Sequence, residues 1–255
     1  MDRIYRVEQD HESFFAVERD GNLHRAAGDP FTSLSMGAPV RGGLAGVRIL
    51  PPVRPSKIVC VGLNYKDHAA EQGKALPAEP LLFIKPTSAV IGPGDPILLP
   101  PGVGRVDHEA ELGIVIGARA HRVAAPDAWD YILGMICVND VTARDLQKKE
   151  VGYTRCKGFD TFAPIGPCVA TGLNGDPRGV EGWVNGARRQ ASSTKHLIFS
   201  IEYLVEFITF VMTLEPGDII STGTPEGIGP IAAGDTVTVK VEGVGELTNP
   251  VQAEQ

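Results

Sequence analysis

The chain has 255 residues, 43% of them hydrophobic and 22% charged, which is typical of one large globular domain or of a main domain with a small appendage. A net charge of −7 argues against a nucleic-acid-binding protein. No apolar run reaches the roughly 20 residues that cross a bilayer, and the first residues lack the apolar core of a signal peptide. The four cysteines form no Cys-x-x-Cys pair, so we expect a reduced, cytoplasmic protein.

A small N-terminal unit precedes the main part of the chain. Residues 13–26 are predicted to form a hairpin, because Asp20 and Gly21 are a strong two-residue turn signal between two strand-like runs. A proline-rich connector follows. We therefore predict a small N-terminal domain over residues 1–52 and a larger domain over residues 53–255.

Beyond the connector, short apolar runs separated by glycine and proline predict a β-rich fold. Two helices are predicted, over residues 66–72 and 200–214, the second with Ser200 as its N-cap. Strict βαβ alternation is absent, which argues against a doubly wound sheet. The expected class is α+β, mainly antiparallel β with short helices. The clearest strand patterns lie at 57–62, 219–221 and 235–242.

Three carboxylates are candidates for a metal site. Glu109 and Glu111 begin an apolar run, and a strand's side-chain period of two points both to one face. Asp140 ends a second apolar run. Oxygen-only ligands favour Mg²⁺, Mn²⁺ or Ca²⁺ over zinc, with water and substrate completing the coordination. The alternative is that Glu-x-Glu is only the solvated face of an edge strand.

A candidate general base lies in the first predicted helix. His68 and Glu71 are three residues apart and can hydrogen-bond on one helical face. A carboxylate on one imidazole nitrogen fixes the tautomer and raises the basicity of the other nitrogen. The alternative is a surface ion pair of little energetic value.

Three polar side chains after Asp140 are candidates for contacts with a substrate. Arg144 and Gln147 would project together from a helical turn and suit a bound carboxylate, although Arg144 equally suits charge balance behind the acidic cluster. Lys157 could polarise a carbonyl or stabilise an enolate, unless it is an ordinary solvated lysine.

A glycine-rich loop at residues 221–229 follows a predicted strand. Its backbone N–H groups and the Thr224 hydroxyl could bind an oxyanion or a carboxylate. The loop has neither the P-loop nor the dinucleotide-binding spacing. The alternative is a tight turn that needs glycine for positive φ.

Taken in this order, the motifs resemble the fumarylacetoacetate hydrolase family, over roughly residues 56–250. The first 50 or so residues are similar to the small N-terminal domain of the family's short bacterial members. The segments that carry the resemblance are Gly62-Leu63-Asn64-Tyr65 with His68 and Glu71, Phe83-Ile84-Lys85-Pro86, His108-Glu109-Ala110-Glu111-Leu112, Asn139-Asp140-Val141-Thr142-Ala143-Arg144-Asp145-Leu146-Gln147, Lys157-Gly158-Phe159-Asp160 and Gly223-Thr224-Pro225-Glu226-Gly227.

The resemblance implies a mixed β-sandwich roll with short helices, a homodimer and a set of site residues. The expected ligands of Mg²⁺ or Mn²⁺, for which Ca²⁺ could substitute, are Glu109, Glu111 and Asp140. The expected catalytic groups are the His68–Glu71 dyad and Lys157, and the expected substrate contacts are Arg144, Gln147, Thr224 and Lys85. The segment before His68 lacks the additional aspartate ligand of the family's larger hydrolases, which argues against fumarylacetoacetate itself as the substrate.

The resemblance also implies chemistry on small 2-oxo or 2-hydroxydienoic dicarboxylic acids through an enolate held by the metal. The expected branch is the bacterial isomerase/decarboxylase of aromatic catabolism that handles 2-hydroxyhepta-2,4-diene-1,7-dioate. The alternatives are a hydrolase that cleaves a C–C bond of an acylpyruvate, an oxaloacetate decarboxylase, and a non-catalytic protein that binds metal and 2-oxo acids. A lid is expected near residues 72–80.

Overall fold

A computed structural model describes residues 1–254 and consists mainly of short strands. The strands are β1 (Arg3–Gln9), β2 (Glu12–Arg19), β3 (Asn22–Asp29), β4 (Ser33–Pro39), β5 (Arg48–Leu50), β6 (Ile58–Gly62), β7 (Leu81–Lys85), β8 (Val90–Ile91), β9 (Ile97–Leu99), β10 (Val106–His108), β11 (Ala110–Ile116), β12 (Ile132–Asn139), β13 (Thr142–Ala143), β14 (Ala163–Ala170), β15 (Gly179–Val184), β16 (Ala187–Ser193), β17 (Ile219–Ser221), β18 (Gly229–Pro230), β19 (Thr236–Val241) and β20 (Gly245–Ala253).

The helices are few and short. The α-helices are α1 (Lys66–Glu71), α2 (Arg144–Lys149), α3 (Thr154–Lys157) and α4 (Ile201–Val211). Short 3₁₀ helices cover Gly43–Gly46, Thr87–Ala89, Ala125–Tyr131 and Thr194–His196. Among residues 1–254, no helix combines the length and the hydrophobicity that a membrane span requires.

One large sheet forms the framework of the molecule. Its strands run in the order β4-β3-β2-β1-β14-β12-β11-β17-β6-β7, with β5 paired to β1 and β8 paired to β14. A five-stranded sheet, β16-β15-β19-β20-β9, and a three-stranded sheet, β13-β10-β18, complete the fold. Most neighbours are antiparallel, and the parallel pairs are β6–β17, β8–β14 and β9–β20. The predicted mixed, mainly antiparallel β fold is therefore confirmed.

The central strands are apolar on both faces because both faces are covered. In β11, Leu112 and Ile114 belong to one core cluster, whereas Val115 belongs to a second cluster on the opposite face. The first cluster also receives Leu204 and Ile208 from α4, so the helix packs on that face of the sheet. Because side chains alternate along β11, Glu111 points to the same face of the sheet as Val115 and to the other face from Leu112.

Several local predictions are confirmed with small shifts. Asp20 and Gly21 both have positive φ in the hairpin turn, at 52° and 77°. The Ser200 hydroxyl accepts a hydrogen bond from the backbone N–H of Tyr203 at 3.3 Å, as an N-cap does. Helix α4 ends at Val211 instead of residue 214, because the backbone N–H and C=O of Leu214 pair with Ala120 in a β-bridge.

The N-terminal strands extend the main sheet. Strand β1 pairs antiparallel with β14, with Arg3 opposite Ala170 and Ile4 opposite Val169. Hydrogen bonds thus run from the first strands into the centre of the molecule. The division at residue 52 stays a prediction, and the pairing of β1 with β14 crosses it.

Candidate active site

A cavity of about 470 Å³ opens where β6, β7, β11, β12 and α2 come together. It collects most of the candidate residues from distant parts of the chain. Its lining residues are Val61, Gly62, Leu63, His68, Gln72, Lys74, Leu81, Phe83, Glu109, Glu111, Asp140, Arg144, Gln147, Lys148, Tyr153, Lys157 and Thr224.

The three candidate carboxylates converge in this cavity. Glu109 lies in the break between β10 and β11, Glu111 in β11, and Asp140 directly after β12. Strands β11 and β12 are antiparallel with Ala110 opposite Asn139, which brings the two chain segments together. One oxygen from each carboxylate lies within 4.8 Å of the others, and all three side chains are buried. The predicted Glu-x-Glu geometry differs in that Glu109 precedes the strand, yet both side chains face the cavity.

Cationic side chains balance two of the three carboxylates. The Lys157 ammonium group donates to Glu109 Oε2 at 2.8 Å and also to Asp140, so it lies between the two. The Arg144 guanidinium donates to Glu109. Lys85 Nζ donates to Asp140 Oδ1 at 2.6 Å and is fully buried. Lys85 does not line the cavity, so its direct contact is with the acidic cluster.

These pairings shift the pKa values of the charged groups. Burial favours the neutral form of Glu109, but Lys157 and Arg144 outweigh it and hold the pKa of Glu109 well below its usual range. Burial likewise opposes the charge on Lys157, but Asp140 and Glu109 raise the pKa of this ammonium group. Lys157 is therefore a permanent cation at neutral pH.

Glu111 has a different environment from the other two carboxylates. Its Oε2 accepts hydrogen bonds from the Ser221 hydroxyl at 2.5 Å and from the Gly223 backbone N–H at 3.0 Å. Within residues 1–254 it has no cationic partner. Burial, followed by repulsion from Asp140 and Glu109, raises the pKa of Glu111 to about 8.

The donor set fits a hard divalent cation. Three carboxylates converge with oxygen atoms as the only ligands, and repulsion from Asp140 and Glu109 adds to the effect of burial in raising the pKa of Glu111. A divalent ion would offset that repulsion, and oxygen ligands select magnesium, manganese or calcium. An acidic triad of this kind could thus hold a metal ion.

The predicted dyad is formed by His68 and Glu71 in α1. Nδ1 of His68 donates to Glu71 Oε2 at 2.8 Å, and Glu71 Oε1 accepts from the Gly227 backbone N–H at 3.0 Å. The carboxylate thus fixes the ring with Nε2 as an acceptor. The amide nitrogen of Gln72 lies 2.7 Å from Nε2 and faces the same cavity.

Arg144 and Gln147 lie on one face of α2, as their spacing predicts. Arg144 Nη1 donates to Gln147 Oε1 at 2.6 Å, and Arg144 Nε donates to Asp107 Oδ2 at 2.9 Å. Strand β13 separates Asp140 from the helix, which begins at Arg144. Arg144 both lines the cavity and balances the acidic cluster, so the two alternatives are compatible.

The glycine-rich loop binds groups of the site itself. Gly223 and Gly227 donate their backbone N–H groups to Glu111 and Glu71, so these two donors are not free for an oxyanion. Both glycines also have positive φ, at 100° and 90°, as the alternative interpretation requires. The loop therefore positions a carboxylate of the triad and the carboxylate of the dyad.

Gln190 is a site residue that the sequence analysis missed. This buried side chain of β16 accepts from the Ala110 backbone N–H at 2.9 Å and lies 3.1 Å from His108 Nδ1. Its amide group donates to the Thr224 hydroxyl at 2.8 Å and to the Pro225 carbonyl oxygen at 2.9 Å. No motif marks it, since β16 is otherwise polar and mostly exposed.

Aromatic residues to which the sequence analysis assigned no role shape the cavity wall. Phe83 and Tyr153 meet edge to face, with ring centroids 5.2 Å apart, and Lys157 Nζ lies 5.0 Å from the Phe83 ring centroid. Cys156, next to Lys157, is buried, and burial raises the pKa of its thiol, which argues against a nucleophilic role. Aromatic residues of this kind carry no spacing signal in the sequence.

The fold and the acidic site together define a β-rich enzyme with a candidate metal centre. The family model for the C-terminal part of fumarylacetoacetate hydrolase matches residues 57–252. The chain therefore belongs to the fumarylacetoacetate hydrolase family and is an enzyme of that family.

Two solved structures and one sequence relative are similar to this chain over most of its length. The structure of 2-hydroxyhepta-2,4-diene-1,7-dioate isomerase from Mycobacterium marinum is 42% identical, with a TM-score of 0.92 over 100% of this chain and 99% of that chain. Mitochondrial oxaloacetate tautomerase FAHD1 of Arabidopsis thaliana is 42% identical over 203 residues, 77% of this chain and 91% of its own length. Maleylpyruvate hydrolase from Sphingobium, solved with manganese(II) and pyruvate, is 30% identical, with a TM-score of 0.81 over 99% of this chain and 100% of that one.

Proposed function

We propose that this chain is a divalent-metal-dependent enzyme that acts on small 2-oxo or 2-hydroxydienoic dicarboxylic acids through an enolate. The reaction is isomerisation or decarboxylation in aromatic catabolism, of the 2-hydroxyhepta-2,4-diene-1,7-dioate isomerase type. The observation that carries the proposal is that the acidic triad, His68 and Lys157 line one cavity. The likeness to the Mycobacterium marinum isomerase supports the reaction type.

Glu109, Glu111 and Asp140 would hold Mg²⁺ or Mn²⁺, and Ca²⁺ would substitute for either. The manganese in the maleylpyruvate hydrolase structure supports this choice. When bound, the cation would polarise the 2-oxo group of the substrate. Lys85, buried behind Asp140, would hold that carboxylate in place through its hydrogen bond.

His68 is the proposed proton carrier. Its Nε2 takes a proton from the carbon next to the 2-oxo group, or from an enol hydroxyl, after the Gln72 amide has moved aside. Glu71 stabilises the resulting imidazolium through Nδ1–H. In isomerisation the same Nε2 returns the proton at another carbon, so the dyad begins and ends the cycle in the same state.

The charged and polar side chains around the triad orient the substrate. Lys157 and Arg144 are permanent cations that favour the negative charge of an enolate and of a carboxylate. Gln147 adds a polar contact beside Arg144. The Thr224 hydroxyl donates to the Ala110 carbonyl oxygen at 3.0 Å and accepts from a glutamine amide, so toward the cavity it can only accept. We therefore assign Thr224 to a substrate hydroxyl instead of a carboxylate.

Turnover of three substrates tests the proposal. The purified protein is assayed with and without Mg²⁺ or Mn²⁺ on a 2-hydroxyhepta-2,4-diene-1,7-dioate-type diene, on acetylpyruvate and on oxaloacetate. We expect metal-dependent isomerisation or decarboxylation of the diene. Absence of turnover on all three, with intact binding of metal and oxalate, would contradict the proposed substrates.

Cleavage of a C–C bond is the second candidate function, favoured by the likeness to maleylpyruvate hydrolase. In that reaction His68 would remove a proton from water, which then attacks a carbonyl carbon, and the enolate would leave. Turnover of acetylpyruvate without turnover of the diene would select this candidate over the isomerase. With oxaloacetate as the substrate, release of CO₂ would indicate decarboxylation. Turnover without release of CO₂ would indicate tautomerisation.

The same family membership leads us to propose a homodimer. Light scattering coupled to size-exclusion chromatography would give twice the chain's mass of 27.1 kDa. A mass equal to one chain at micromolar concentration would contradict the dimer without affecting the chemistry.

A further inference from the structure

Two lysines of the cavity have no role in the chemistry described so far. Four cationic side chains line the cavity, namely Lys74, Arg144, Lys148 and Lys157. Arg144 and Lys157 are paired with carboxylates of the site. Lys74 and Lys148 are exposed and form no ion pair with any residue that the structure describes. The cavity thus has two cations that are already paired with carboxylates and two exposed cations that are not.

The two lysines come from different segments of the chain. Lys148 lies in α2, one turn after Arg144, so both side chains occupy the same face of that helix. Lys74 lies in the segment between α1 and β7, where its backbone N–H donates to the Ala69 carbonyl oxygen. A ligand that contacted both lysines would therefore link α2 to the segment between α1 and β7.

We propose that Lys74 and Lys148 bind the distal carboxylate of the substrate and so select dicarboxylic over monocarboxylic 2-oxo acids. This inference rests on the proposed function, because the 2-oxo acid end of the ligand must occupy the triad. A cavity of about 470 Å³ has room for more than a carboxylate and its neighbouring carbonyl. The remaining carbon atoms of a bound substrate would extend toward the opening. A second carboxylate there would meet the two free cations.

Lys74 lies within residues 72–80, the segment that the sequence analysis predicts to be a lid. A distal carboxylate that reached Lys74 would tie this segment to α2. Since Lys74 is exposed, the gain is set by solvent-screened ion pairs and is modest for each lysine. Dicarboxylate binding should therefore weaken as salt is raised.

A matched pair of ligands tests the inference by binding alone. Calorimetry in the presence of Mg²⁺ compares 2-oxoglutarate with 2-oxopentanoate, which has the same carbon chain but no distal carboxylate. Lys148→Ala and Lys74→Ala should each weaken 2-oxoglutarate binding about three- to fivefold, the range of an exposed ion pair. Both variants should leave 2-oxopentanoate and oxalate affinities unchanged.

Lys149→Ala is the control, since Lys149 is the next residue of α2, is also exposed, and does not line the cavity. It should bind all three ligands as the wild type does. Equal losses for Lys149→Ala and Lys148→Ala, or an equal loss of 2-oxopentanoate affinity, would overturn the inference while the proposed function stands. Failure of wild-type protein to bind oxalate with Mg²⁺ would instead overturn the proposed function.

Discussion

At the scale of single residues, the site depends on how its charged side chains are paired. Lys157 contacts both Glu109 and Asp140, and Arg144 contacts Glu109, whereas Glu111 receives only neutral hydrogen-bond donors. Lys157 and Arg144 hold the pKa of Glu109 below its usual range, so Glu109 stays ionised. The raised pKa of Glu111 makes the charge of this residue depend on an added cation.

His68→Ala tests the role of the dyad. We expect kcat to fall about 10²- to 10⁴-fold, the usual contribution of a general base, while metal affinity is unchanged, because the ring does not belong to the triad. Kinetics at saturating metal and a separate metal titration measure the two effects. The control is His121→Ala, which changes an exposed histidine outside the cavity. Lost metal affinity with normal kcat would contradict the assignment.

The pKa of Glu111 predicts proton release on metal binding. In the metal-free protein the pKa is raised to about 8, so at pH 7 the group is mostly protonated and must lose its proton to become a ligand. Affinity for Mg²⁺ should therefore rise with pH, by at most about tenfold per unit, and level off above the pKa. Calorimetry in buffers of different ionisation enthalpy counts the protons released. A count of zero at pH 7 would refute the prediction.

The identities of the site residues could be predicted from the sequence, but their pairings could not. Glu109, Glu111, Asp140, His68 and Lys157 stand in recognisable motifs. That Lys157 reaches two carboxylates depends on how separate segments come together, which no local pattern encodes.

At the scale of elements, the site is assembled by loops and strand ends of two sheets. Strand β16 belongs to the five-stranded sheet, yet its Gln190 is hydrogen-bonded to β11 of the large sheet and to the glycine-rich loop. This side chain therefore fixes the distance between the sheets beside Thr224.

Gln190→Leu should lower both stability and substrate affinity. The change leaves buried partners such as the Ala110 N–H without a hydrogen bond, at a cost of about 3 kcal/mol in the free energy of unfolding. Thr224 would also lose the donor that orients its hydroxyl. Denaturant unfolding and KM measure the two effects. Gln252→Leu, at an exposed strand position, is the control and should change stability by less than about 0.5 kcal/mol. Equal stability of the two variants would argue against this positioning role.

Elements with a local signal could be predicted, and elements defined by distant pairing could not. The hairpin at Asp20-Gly21 and helix α4 follow from turn chemistry and from apolar periodicity. The continuity of β1 with β14 joins residues more than 160 positions apart, and such a register leaves no trace in either segment alone. The break between β10 and β11 is equally invisible, because the two short strands belong to different sheets.

At the scale of the whole molecule, a buried carboxylate ties the start of β6 to the start of β17. Asp218 accepts from the backbone N–H groups of Ser56 and Lys57 at 2.9 and 3.1 Å, and from Lys57 Nζ at 2.5 Å. Burial alone would raise the pKa of Asp218, but hydrogen bonds from Lys57, the Glu215 backbone N–H and Ser56 hold it below its ordinary value. Strands β6 and β17 are parallel neighbours, and β6 contributes Val61 and Gly62 to the cavity wall.

Asp218→Asn should therefore change how stability depends on pH. A carboxyl group whose pKa is lower in the folded state stabilises the protein above its unfolded pKa of about 3.9, and that contribution is lost as the pH falls through the folded value. Thermal unfolding from about pH 6 to about pH 2 should show a shallower acid loss in the variant, together with a lower Tm at neutral pH. Asp235→Asn, at a half-buried turn position, is a control. Superimposable pH profiles of wild type and Asp218→Asn would contradict the linkage.

The central claim, that the acidic triad holds one divalent ion, is tested most directly by Mn²⁺ titration followed by electron paramagnetic resonance. Glu111→Gln is the informative variant, since Glu111 has no cationic partner among residues 1–254 and its removal leaves no buried positive charge unpaired. We expect one Mn²⁺ per wild-type chain in the presence of oxalate, and binding weaker by at least about tenfold in the variant. Equal Mn²⁺ binding by both proteins would show that the ion, if bound, lies elsewhere.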